Sequence, residues 1–130
     1  MALVNAGLVV LDCAEPEKLA EFYKELLEAE ETGATANRVE IRGADGIRMA
    51  FRRDVKATPP SWPRPENSFQ VHLDFVVEDL DETERKVIEL GGRALETKDV
   101  AGPYEERGYS DPAGHSFTLR LITPTAPKQG

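Results

Sequence analysis

A chain of 130 residues, 40% hydrophobic and 31% charged, is long enough for one domain or for two small halves sharing a core. Its 16 Lys and Arg against 24 Asp and Glu leave a net charge of −8, which repels a phosphate backbone and excludes nucleic acid as an expected partner. No run approaches the roughly 18 apolar residues of a membrane span, no basic segment precedes the first apolar run, and Cys13 has no second thiol to pair with, so the expectation is a cytoplasmic protein with no membrane partner.

The first element is an apolar run ending at Asp12, read as a strand. Glu15-Pro16 then offers a capping carboxylate and a proline at the first helical position. Leu19, Phe22, Tyr23, Leu26 and Leu27 follow at the spacing of one helix face. Residues 31–37 read as a polar connection, 38–42 alternate as a strand, and Gly43-Ala44-Asp45-Gly46 turns the chain into a second strand over 47–53. The segment Thr58-Pro59-Pro60-Ser61-Trp62-Pro63-Arg64-Pro65 holds too many prolines for a helix or a central strand and reads as a linker.

Beyond it, 71–77 is a strand, and a helix follows that is capped by Asp79 or Asp81, carries Leu80, Val87 and Leu90 on one face and stops at Gly91-Gly92. A strand over 93–96, a loop over 97–105 and a strand over 106–110 lead to the turn Asp111-Pro112-Ala113-Gly114 and a last strand over 115–122. Residues 123–130 form a tail.

These elements repeat. The spacing from Leu8 through Glu15 to Leu26 recurs from His72 through Asp79 to Leu90. Two copies so widely separated indicate paired modules rather than a solenoid, which needs at least three repeats. The predicted fold class is α+β, with two βαβββ modules forming a curved sheet around a cleft. Module 1 covers 4–54, a linker 55–67, module 2 68–122. Strand alternation places Val9, Leu11, Met49, Phe51, Leu73, Phe75, Phe117 and Leu119 toward the helices. Leu8, Val10, Asp12, Arg48, Ala50, Arg52, His72, Asp74, Thr118 and Arg120 then share the opposite faces, a fitting lining for a small-molecule site.

The strand-helix segments 8–27 and 72–92, with Phe22-Tyr23, Ala50-Phe51-Arg52, His72-Leu73-Asp74 and Gly108-Tyr109-Ser110-Asp111-Pro112-Ala113-Gly114, resemble the vicinal oxygen chelate superfamily of glyoxalase I, bleomycin-resistance proteins and extradiol dioxygenases. The bacterial glyoxalase-like branch is the nearest likeness. The resemblance covers nearly the whole chain and implies a homodimer. It also implies metal ligands at four strand positions, which here carry Leu8, Ala50, His72 and Thr118. Leu and Ala supply no donor and a Thr hydroxyl is a poor substitute for a carboxylate. The expectation is therefore no cofactor, with a divalent metal on His72 only if Asp12, Asp74 or substrate oxygens complete an irregular site.

The individual side chains keep two readings each. His72 is a ligand or a cleft-facing histidine bonded to Asp74, and Asp74 either fixes its tautomer or is a solvated strand end. As an acid/base pair the two lack an accompanying nucleophile. Arg48, Arg52 and Arg120 bind an anionic group or stand as strand-edge charges; Trp62 is a lid or a linker anchor. His115 reads as exposed after its turn, and Cys13 as a packing residue. Two functions compete: a binding protein for a small molecule, cationic if the acidic chain sets the preference, and a metal-dependent lyase or dioxygenase. A non-catalytic interaction module is the third.

Overall fold

The computed structural model of the chain describes residues 3–4, 6–56, 72–99 (backbone only from 96) and 106–121. The linker with Trp62, residue Tyr104 and the tail lie outside them. The chain divides into two compact units, 1–58 and 59–130. Among the described residues each holds one helix and four strands, which gives the predicted α+β class.

In the first unit, β1 (Val9–Cys13) leads through α1 (Pro16–Leu27) to β2 (Glu30–Thr35), β3 (Arg38–Arg42) and β4 (Arg48–Arg53). The open sheet has the order β1-β4-β3-β2, with β1 parallel to β4 and the other pairs antiparallel. In the second unit, β5 (Leu73–Val77), α2 (Leu80–Glu89), β6 (Arg93–Asp99), β7 (Glu106–Ser110) and β8 (Ser116–Leu121) form the order β5-β8-β7-β6 with the same senses. The offset that carries β1 onto β5 falls short of carrying β3 onto β7 or β4 onto β8, and those two strand pairs share one larger offset. The second copy is therefore longer between its helix and its third strand, around β6.

Two sequence expectations change here. Residues 31–37 are not a plain connection, because most of them belong to β2. That strand, Glu-Glu-Thr-Gly-Ala-Thr, is exposed throughout, and it pairs with β3 through its backbone with a bulge between Glu31 and Gly33. With no buried face, it leaves no apolar alternation to read, and its charged, bulged form suits a sheet edge. Likewise β6 runs to Asp99 rather than ending at 96, its register shifted between Ala94 and Lys98.

The helix caps also separate. Asp79 caps α2, its Oδ1 accepting from the Glu82 amide at 2.9 Å. Glu15 precedes Pro16 at the start of α1 but makes no side-chain cap bond; its carboxylate instead lies 3.4 Å from Lys18. The expected capping role is lost because the longer glutamate side chain does not curl back as aspartate does.

Each helix covers one face of its sheet. In the first unit Leu19, Phe22 and Tyr23 are buried against Val39, Ile41, Met49 and Phe51. Tyr23 stacks on Phe51 at 5.5 Å and Phe22 meets Tyr23 edge-on at 4.9 Å. The matching positions of the second unit exchange volume between helix and sheet. Val87 stands where α1 has Tyr23, and Tyr109 stands where β3 has Ile41. Tyr109 is buried and stacks on Phe117 at 5.6 Å.

The Tyr109 hydroxyl donates to Glu84 on α2 at 2.6 Å, and Arg107 reaches the same carboxylate at 3.3 Å and Asp81 at 3.1 Å. Burial first, and then the bond to Glu84, push the phenol above its ordinary value of 10.0. The folded state thus favours the neutral phenol. That contribution is complete below the unfolded value and is lost as pH rises above it toward the folded value. Denaturant midpoints of the wild type are expected to fall above about pH 10, where the free phenol ionises, more steeply than those of Tyr109→Phe; parallel slopes would contradict this.

Candidate functional site

The strands present their remaining side chains on the faces that carry no helix. In the second unit these include His72, Asp74, Val76, Ser116, Thr118 and Arg120. Asp74 is the centre of a small network. Thr118, its in-register partner on β8, donates to Oδ1 at 3.1 Å, and the Arg120 Nε donates to Oδ2 at 3.0 Å. His72 is exposed one residue before β5, on the same face by alternation. The structure therefore brings Asp74, Thr118 and Arg120 into direct contact.

In the first unit the same face holds Leu8, Val10, Asp12, Arg48, Ala50 and Arg52. Arg52 binds Asp12 through both Nε and Nη2, at 2.8 and 2.9 Å, a bidentate pair between in-register neighbours of β4 and β1. On β3, Arg38 pairs with Glu40 at 2.8 Å. Ala50 sits between its register partners Val10 and Glu40 and has no exposed surface, whereas Val10 is 41% exposed. Arg48 is exposed and Leu8 is half-buried. Cys13 turns the other way and is buried, its Sγ 3.9 Å from the Arg52 carbonyl.

Sequence reasoning passed over one cluster. His115 is not exposed after its turn: its Nδ1 lies 3.0 Å from the Asp111 carboxylate, whose side chain is wholly buried. The Asp111 Oδ1 also accepts from the amides of Ala113 at 2.9 Å and His115 at 3.0 Å. Aspartate at the first position of a Pro-Gly turn was the available signal. The cluster closes the turn rather than serving a ligand face.

The four positions at which the resemblance implies metal ligands can now be compared with their surroundings. Leu8 and Ala50 offer no donor atom. Thr118 spends its hydroxyl hydrogen on Asp74, and that carboxylate has the Arg120 guanidinium against it, which disfavours a second cation there. His72 keeps a donor, but the other three positions do not fit the metal set that the resemblance implies.

The glyoxalase-like domain profile matches residues 8–120. In three dimensions the chain is similar to FosX, a genomically encoded fosfomycin resistance protein from Listeria monocytogenes, with TM-score 0.71 and 17% identity over 94% of this chain and 96% of that one. It is similar as well to a glyoxylase/bleomycin resistance protein/dioxygenase domain from Frankia sp. EAN1pec, with TM-score 0.69 and 18% identity over 97% and 96%. A glyoxalase/bleomycin resistance protein/dioxygenase family enzyme from Burkholderia phytofirmans PsJN gives TM-score 0.70 and 11% identity over 88% and 96%. Identities this low speak for the fold alone. A comparison with curated proteins finds no match. The family match runs from the start of the first βαβββ unit to the end of the second, and the chain belongs to the glyoxalase-like domain family of the vicinal oxygen chelate superfamily.

Proposed function

We propose that this protein binds a small molecule on the helix-free faces of its sheets, without the metal centre usual in the superfamily. The observation that carries this reading is the fate of the four ligand positions. Two have become apolar, and a third holds a threonine engaged with an aspartate that is itself paired to arginine. Faces that carry polar groups without the implied donor set are suited to binding by hydrogen bonds and contact area. The resemblance adds a homodimer to this proposal, which light scattering would test, and the lone Cys13 supports a reducing, cytoplasmic setting.

The second reading is a metal-dependent lyase or dioxygenase with a rearranged site. In its favour, FosX from Listeria monocytogenes has been crystallised with Mn(II) and sulfate. Metal analysis of protein purified without chelator separates the two. We expect less than a tenth of an equivalent of Ni, Zn, Fe or Mn, unchanged in His72→Ala. A stoichiometric metal lost with that substitution would remove the first reading. A melting-temperature screen of small oxygenated metabolites and antibiotics is expected to return stabilising compounds, since a ligand that prefers the folded state raises the midpoint.

A further inference from the structure

The cross-strand partner of Arg42 on β3 is Arg48 on β4. Their neighbours Ile41 and Met49 are buried under α1, so both arginines point to the helix-free face, where both are exposed. Directly opposed strand residues hold their Cβ atoms about 5 Å apart, and like charges in that relation are unfavourable. Neither arginine forms an ion pair with a described residue. The other two arginines of this face are already neutralised, Arg52 by Asp12 and Arg38 by Glu40. Glu30, across from Arg42 on the edge strand β2, balances one charge without contacting it. A chain of net charge −8 thus places a like-charged pair, only half balanced by Glu30, on one sheet face.

The fold does not demand that pair. The matched positions of the second unit, found by laying β7 and β8 over β3 and β4, are Ser110 and Ser116, again in register with each other. On the β1 side of Arg48 the same face is apolar. Leu8 falls next to Arg48 by continuation of the parallel register, and Val10 follows one pleat along with 41% of its surface exposed. At the corresponding places the second unit has His72 and Asp74. A cationic fork next to aliphatic surface matches a ligand with an oxyanion at one end and an apolar body behind it.

We infer that the first unit binds an organic oxyanion, a carboxylate or phosphate monoester on an apolar body, with the anionic group on Arg42 and Arg48 and the body against Leu8 and Val10. This rests on the reading above for the choice of face and reverses the preference for cations that net charge alone would suggest.

Calorimetric titration with hexanoate, hexyl phosphate, acetate, hexanol and hexylamine tests it. Hexanoate or hexyl phosphate is expected to bind saturably and about tenfold more tightly than hexanol or acetate, as one charge-assisted contact provides. Which of the two binds better identifies the headgroup. Arg48→Gln and Arg42→Gln should each weaken that binding about tenfold, while Arg85→Gln on α2 should not. Arg48→Gln relieves a repulsion, so its melting temperature should equal or exceed the wild type's, whereas in Arg42→Gln that gain is offset by the lost attraction to Glu30. Three results would overturn the proposal: hexanol binding as well as hexanoate, equal loss in Arg85→Gln, or no saturable binding of either alkyl anion. Should the anions fail while neutral or cationic compounds stabilise the protein in the screen above, only the ligand class falls. If every compound fails, the small-molecule reading falls with it.

Discussion

Phe51→Ala is expected to lower the stability of the first unit by about 3–5 kcal/mol, the range for removing a fully enclosed aromatic ring. Phe51 has no exposed surface and stacks on Tyr23, one of the α1 residues buried against the sheet. Its strand β4 is central, paired to β1 on one side and β3 on the other, so the cavity cannot close by moving an edge. Phe51→Leu should recover roughly half of the loss, since it keeps most of the apolar volume. Urea denaturation followed by circular dichroism measures both. A loss under about 1 kcal/mol for the alanine variant, far below the usual range for such a truncation, would show that the α1–sheet contact does not depend on the stack.

The second large effect is expected at Asp111. Its buried carboxylate satisfies two backbone amides and the His115 ring, and bonds to a charged acceptor are each worth about 1.5–3 kcal/mol. Asp111→Ala should therefore destabilise the second unit by about 3 kcal/mol, with Asp111→Asn costing less because an amide oxygen still accepts from the amides. The reverse ordering would sink this account. The matched turn of the first unit shows why the two are not interchangeable. Both turns close with the same backbone bonds, Gly43 to Ile47 at 2.8 Å and Asp111 to His115 at 2.9 Å, and both have glycine at positive φ, 96° at Gly46 and 98° at Gly114. At Gly43, however, a Cβ would come within 2.9 Å of Ile47 Cγ2. The first turn is instead braced by Asp45, whose Oδ1 accepts from the Ile47 amide at 3.1 Å.

Much of this architecture was legible in the chain because it rests on periodicity. The stripe of Leu19, Phe22 and Tyr23 and the alternation of Met49-Ala50-Phe51 and Phe117-Thr118-Leu119 each follow from one buried face. The repeat made the two halves explain each other. Where no face is buried the signal fails, which is why β2 carries no strand pattern in the sequence. Long-range polar partners were equally hidden. Alternation put Asp12 and Arg52, or Asp74 and Arg120, on a common face. Their bonding depends on strand order and register, and these are set by β1 crossing over to pair with β4, and β5 with β8.

The candidate site divides along the same line. From the residues alone came the absence of donor atoms at Leu8 and Ala50, two positions that the resemblance marks for metal ligands, because a side chain's chemistry does not depend on where it is placed. The pairing of Arg42 with Arg48, and the engagement of Asp74 by Thr118 and Arg120, were decided by the register of neighbouring strands. Residues distant in the chain become charge partners or charge rivals only when the sheet sets them side by side.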